Sequence, residues 1–103
     1  MEPSAGWPLF YERRIGSLSA VMKEAETMDA DAGIRVVGRF GGRRCYAFVS
    51  RFGPRYTVMV YERRSGRKDG LGKRLATEEV AGTDQLKGFL KGIVTGKVEA
   101  YAY

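Results

Sequence analysis

The chain has 103 residues, 44% of them hydrophobic, with 18 Lys and Arg against 12 Asp and Glu, one cysteine and no histidine. That length buries a core without disulfide or metal, and a lone Cys45 on an apolar face reads as a small buried residue of a reducing compartment. Without histidine, Ser/His/Asp and Cys/His catalysis and the usual zinc sites are excluded, and neither a run of ~20 apolar residues nor a signal-peptide order is present.

The expectation is one cytoplasmic domain over residues 1–103. It is not an enzyme, uses no cofactor or metal and makes no membrane contact. The net charge of +6 is unevenly placed: from Arg35 to Arg74 the chain carries twelve Lys and Arg and two acids, Glu62 and Asp69. Charge gathered on one structural unit is a footprint for polyanions. Asparagine is absent and glutamine occurs once, at Gln85, the amide depletion of a thermophile's protein.

In chain order, residues 1–16 read as an N-terminal strap, since Pro3, Gly6 and Pro8 oppose regular structure while Trp7, Leu9, Phe10 and Tyr11 are too apolar for a free tail. A core of α-β4-α order is expected over residues 17–95. Ser17 or Ser19 caps a helix reaching about Ala32, with Leu18, Val21, Met22, Ala25 and Met28 on one stripe and Gly33 as its C-terminal cap.

Gly41-Gly42 and Gly53-Pro54 then turn three strands into a meander. The second turn pairs Phe52 with Arg55, Ser50 with Thr57, Phe48 with Met59, Tyr46 with Tyr61 and Arg44 with Arg63. The segment Ser65 to Gly72 is a basic, glycine-rich loop, Arg74 to Ala81 a fourth strand suited to an edge, and Thr83 the cap of a second helix to about Val94. Residues 96–103 form a C-terminal tail or an extra strand.

Directly paired residues share a sheet face. Ile34, Val36, Gly38, Phe40, Cys45, Ala47, Val49, Val58 and Val60 form an aliphatic face. The other face carries Arg35, Arg39, Arg44, Tyr46, Phe48, Phe52, Arg55, Met59, Tyr61 and Arg63, and the loop adds Arg67 and Lys68. Rings alternating with arginines suit stacking of unpaired bases and neutralisation of their phosphates. These twelve residues are the candidate nucleic-acid site, with single-stranded DNA or RNA as partner and a homodimer left open. The alternative is a structural or assembly protein using the same face for self-association or a protein partner.

The expected architecture is thus α+β: a helix, a four-stranded antiparallel meander sheet and a second helix, both helices on one sheet face. Through this order over Leu18 to Val94, and through Arg44, Tyr46, Phe48, Tyr61 and Arg63 on one face, the chain resembles the ThermoDBP group of archaeal single-stranded DNA-binding proteins. The resemblance implies sequence-tolerant binding of single-stranded DNA in an aromatic and basic groove, with association through terminal segments. This chain stops at Tyr103 without the C-terminal helical extension of the longer members.

Overall fold

The computed structural model describes residues 12–64, 66 and 70–103. It corrects the expected four-stranded architecture: among the described residues the sheet has six antiparallel strands, β1 (Arg13–Ile15), β2 (Ile34–Phe40), β3 (Arg43–Phe52), β4 (Arg55–Arg63), β5 (Leu71–Val80) and β6 (Glu99–Ala102), in the order β1-β6-β2-β3-β4-β5. Helix α1 (Leu18–Thr27) follows β1 and α2 (Thr83–Lys91) precedes β6, so strands flank both helices in sequence. The added strands come from the two ends of the described chain. β6 pairs with β2 on one side and with β1 on the other, which satisfies the backbone groups that a four-stranded meander leaves open along β2.

The hairpins follow their turns. Gly41 and Gly42 both take positive φ (59° and 82°), the conformation that lets a two-residue turn match strand twist. Across Gly53-Pro54 the register is Phe52↔Arg55, Phe48↔Met59 and Tyr46↔Tyr61. β5 begins at Leu71, three residues earlier than the sequence suggests. Arg64 N–H donates to Gly70 C=O at 2.9 Å, and the register shifts on both sides of the Tyr61↔Arg74 pair bulge this edge strand.

Both helices are shorter than their apolar stripes imply. The Ser17 hydroxyl accepts from Ala20 N–H at 3.2 Å and starts α1, but the helix stops at Thr27, because Met28 is extended. Its terminal carbonyls are taken by Arg51 of β3, whose Nη1 donates to Glu26 O at 2.8 Å and Met28 O at 3.4 Å. Gly33 therefore caps no helix; it exchanges backbone hydrogen bonds with Tyr103, both 3.0 Å. α2 is capped by Gly82 rather than Thr83 and ends at Lys91.

One core joins both helices to a single sheet face. Val21, Met22, Ala25 and Met28 meet Leu86, Leu90 and Ile93 over Ile34, Val36, Cys45, Ala47, Val49, Val58, Val60, Ala100 and Ala102, all buried. Tyr56 belongs here too, its hydroxyl donating to Ala25 O at 2.8 Å, so a phenol at the core margin is satisfied by the helix it packs on. Cys45 is fully buried, which pushes its thiol pKa up, with Arg63 opposing in part. Among the described residues, the opposite sheet face carries no helix.

Candidate nucleic-acid interface

The face opposite the helices is assembled by strand alternation. Every second residue of β2, β3, β4 and β6 points there, so Arg35, Tyr46, Phe48, Tyr61, Arg63 and Tyr101 come together across four adjacent strands. Tyr46 and Phe48 lie edge to face with centroids 6.1 Å apart, and Phe48 and Tyr61 do the same at 5.9 Å. These are favourable aromatic geometries, and they fix the rings relative to one another.

Two guanidinium groups lie over Tyr46: Arg35 at 4.9 Å and Arg63 at 5.6 Å from the ring centroid. Arg35 also lies 4.6 Å from the Tyr101 centroid. A row of alternating cation and ring, Tyr101, Arg35, Tyr46 and then Phe48 and Tyr61, therefore runs across the sheet from β6 to β4. Tyr46, Phe48, Met59, Tyr61 and Tyr101 are all half-buried along it.

Arg35 is not the solvated phosphate-tracking side chain that alternation alone suggests. Its Nη2 donates to Glu12 Oε1 at 2.8 Å, and the pair is only 13% and 7% exposed. The other sequence-predicted residues spread outward. At the β2–β3 hairpin end, Arg39 and Arg44 are opposite one another and exposed, and Arg39 Nη1 donates to Gly42 O at 3.0 Å. At the other end Phe52 is 72% exposed at the β3–β4 turn. Arg55 beside it is 4.0 Å from Glu79, both exposed, a contact of little energetic consequence. These two are set apart from the ring cluster. Arg67 and Lys68 lie outside the described residues, as does the strap over its first eleven positions.

Sequence reasoning missed members of this face, among them Tyr101, Glu99, Glu12 and Arg14, which pairs with Tyr101. Tyr101 and Glu99 reach it through β6, and the alternation of Glu99, Tyr101 and Tyr103 against Val98, Ala100 and Ala102 was the available signal. The Tyr101 hydroxyl donates to Glu99 Oε2 at 2.7 Å; that hydrogen bond first, then partial burial, holds the phenol pKa above its usual value. Glu12 had no signal, since nothing in its neighbourhood predicts a strand.

Elsewhere a cavity of about 440 Å³, open to solvent, lies at the end of α1 and is lined by Glu26, Thr27, Met28, Asp29, Ala30, Arg51 and Gly53. Arg51 spends its donors there on backbone carbonyls, including Gly53 O at 2.9 Å, so this cavity is a packing seam between helix and hairpin. Among the described residues no group of three or more acids or cysteines is placed to hold a metal, and no helix is long and apolar enough to cross a membrane.

No family model, curated protein or solved structure matches this chain.

Proposed function

We propose that the protein binds single-stranded nucleic acid on the sheet face opposite the helices, tolerantly of sequence, and that it does so in the cytoplasm without catalysis. The carrying observation is the cluster of Tyr46, Phe48 and Tyr61, at centroid separations of 5.9 and 6.1 Å, with the Arg63 guanidinium over Tyr46. Base stacking on such rings contributes ~1–3 kcal/mol per base and accepts any base, because every base has a π face. Arg39, Arg44 and Arg63 supply positive charge at one end of the cluster and Arg55 at the other, along the line where the backbone of a stacked strand runs. The proposal stands on this face chemistry, not on the element order behind the ThermoDBP resemblance, which the six-stranded sheet does not share.

The arginines test the mode of recognition. Arg44→Ala and Arg63→Ala are each expected to weaken binding of an oligo-dT and of a mixed-sequence strand of equal length by the same factor, and to flatten the log-log salt dependence by roughly 0.7 for each phosphate no longer neutralised. Lysine at either position should retain most of the affinity. A weakening confined to one of the two strands would show an arginine forking onto a base edge, worth ~1–3 kcal/mol of discrimination, and would refute a sequence-tolerant binder.

A further inference from the structure

Arg35 is held inside the ring row, between Tyr46 and Tyr101. A guanidinium fixed between two rings and aimed out of a sheet is a preorganised fork for an oxyanion. In this chain the fork is occupied by the carboxylate of Glu12. That carboxylate is poorly served: Oε1 accepts from Arg35, whereas Oε2 is buried and accepts no hydrogen bond among the described residues. Taking a carboxylate out of water is costly unless its remaining lone pairs are also satisfied, so the ion pair is held at a disadvantage that a better ligand relieves.

Glu12 is also well placed to leave. It stands immediately before β1, whose ladder to β6 begins at Arg13, so its departure breaks none of the strand pairings described above. A phosphodiester carries the same charge, offers two non-bridging oxygens to the same fork and, unlike the side chain, arrives with bases that can stack on the flanking rings.

We infer that Glu12 is an internal stand-in for a backbone phosphate: its carboxylate holds the central phosphate subsite on Arg35 in the free protein, and a bound strand displaces it. This rests on the single-strand reading above. It assigns the subsite a ligand class, the phosphodiester, and makes Glu12 a competitor that lowers the affinity of the face for weakly bound polyanions. It also reconciles the expected role of Arg35 with its observed partner.

The test is an anisotropy titration of labelled oligo-dT with the full chain and four variants, each checked for folding by its melting curve. Glu12→Gln removes the charge at nearly constant size and is expected to tighten binding about tenfold, the scale of one charge-assisted contact. Glu12→Asp keeps the charge but shortens the reach; it should tighten binding by a smaller factor, and it carries the test should Glu12→Gln fold poorly. Glu78→Gln makes the same change of net charge on β5 at an exposed position paired with Val58, on the helix side of the sheet, and is expected to act by less than about twofold, as exposed charges do. Phe48→Ala reports on the underlying reading. Equal gains for Glu12→Gln and Glu78→Gln would reduce the effect to general charge and overturn the inference. So would a weakening in Glu12→Gln, which would mean that Glu12 positions Arg35 for the strand. In either case a weakened Phe48→Ala would leave single-strand binding standing. Absence of oligo-dT binding in every variant would remove both.

Discussion

Gly38→Ala is expected to destabilise the fold by about 3 kcal/mol, at the upper end of what overpacking usually costs. A Cβ at this position would run into the Ile93 carbonyl oxygen and lie 2.6 Å from Ile93 Cγ2 and 2.8 Å from the Ile93 carbonyl carbon. Neither side can give easily. Ile93 is buried and hydrogen-bonded back to Leu90, and its carbonyl accepts from Arg39 N–H at 2.8 Å, the bond that ties the end of α2 to β2. Moving Ile93 aside would break that tie and open the core beneath α2. Gly88→Ala provides the contrast: a Cβ there meets nothing within 4 Å, and alanine should stabilise α2 by ~0.5–1 kcal/mol through helix propensity. Urea denaturation distinguishes the two, with midpoints moving in opposite directions at unchanged m-value. Full tolerance of alanine at Gly38 would mean that α2 does not end on β2 as described.

The second large effect concerns the rings. Phe48→Ala and Tyr61→Ala should each weaken single-strand binding by ~1–3 kcal/mol. Because the two rings touch, at 5.9 Å between centroids, the double variant should lose less than the sum. Their mutual packing also makes them part of the structure, so some fall in stability accompanies the weaker binding. Val58→Ala separates the contributions: it should cost ~1–3 kcal/mol of stability through reduced burial and a cavity, yet leave the affinity of the folded fraction unchanged. Ring variants that dissociate an oligomer while binding strands normally would turn the face over to self-association.

The middle of this fold is legible in the sequence because its turns and its alternation agree. Gly41-Gly42 and Gly53-Pro54 each fix a register; the first sets Ile34 and Val36 beside Cys45, Ala47 and Val49, the second adds Val58 and Val60, and all lie on the side the helices cover. The ends are not legible, for identifiable reasons. β1 has three residues, too few to show a period, and β6 reaches its place between β1 and β2 only by a return from α2 that no local pattern encodes. The length of α1 depends on Arg51, which is distant in sequence and looks there like one more basic residue. β5 hides its start because its bulges break alternation between Leu71 and Leu75.

The site divides in the same way. Tyr46, Phe48, Tyr61 and Arg63 follow from the hairpin register alone. That Arg35 is held by Glu12 and Tyr101 does not, since the sequence offers residues 96–103 as an extra strand without saying which strand it joins, and gives no sign of where Glu12 lies. Gly38 gives a related lesson: its place on the aliphatic face is readable, but the reason it must be glycine is a backbone carbonyl far along the sequence, at Ile93.

The central claim is that the sheet face opposite the helices grips unpaired bases, and its most direct measurement is a paired titration of one labelled strand, single and annealed to its complement, at two salt concentrations. Stacking on Tyr46, Phe48 and Tyr61 requires bases released from their own stack, so the single strand should bind more tightly. Its affinity should fall with salt at a log-log slope of about −0.7 for each phosphate neutralised. Equal or tighter binding of the duplex, or an affinity indifferent to salt, would contradict the account.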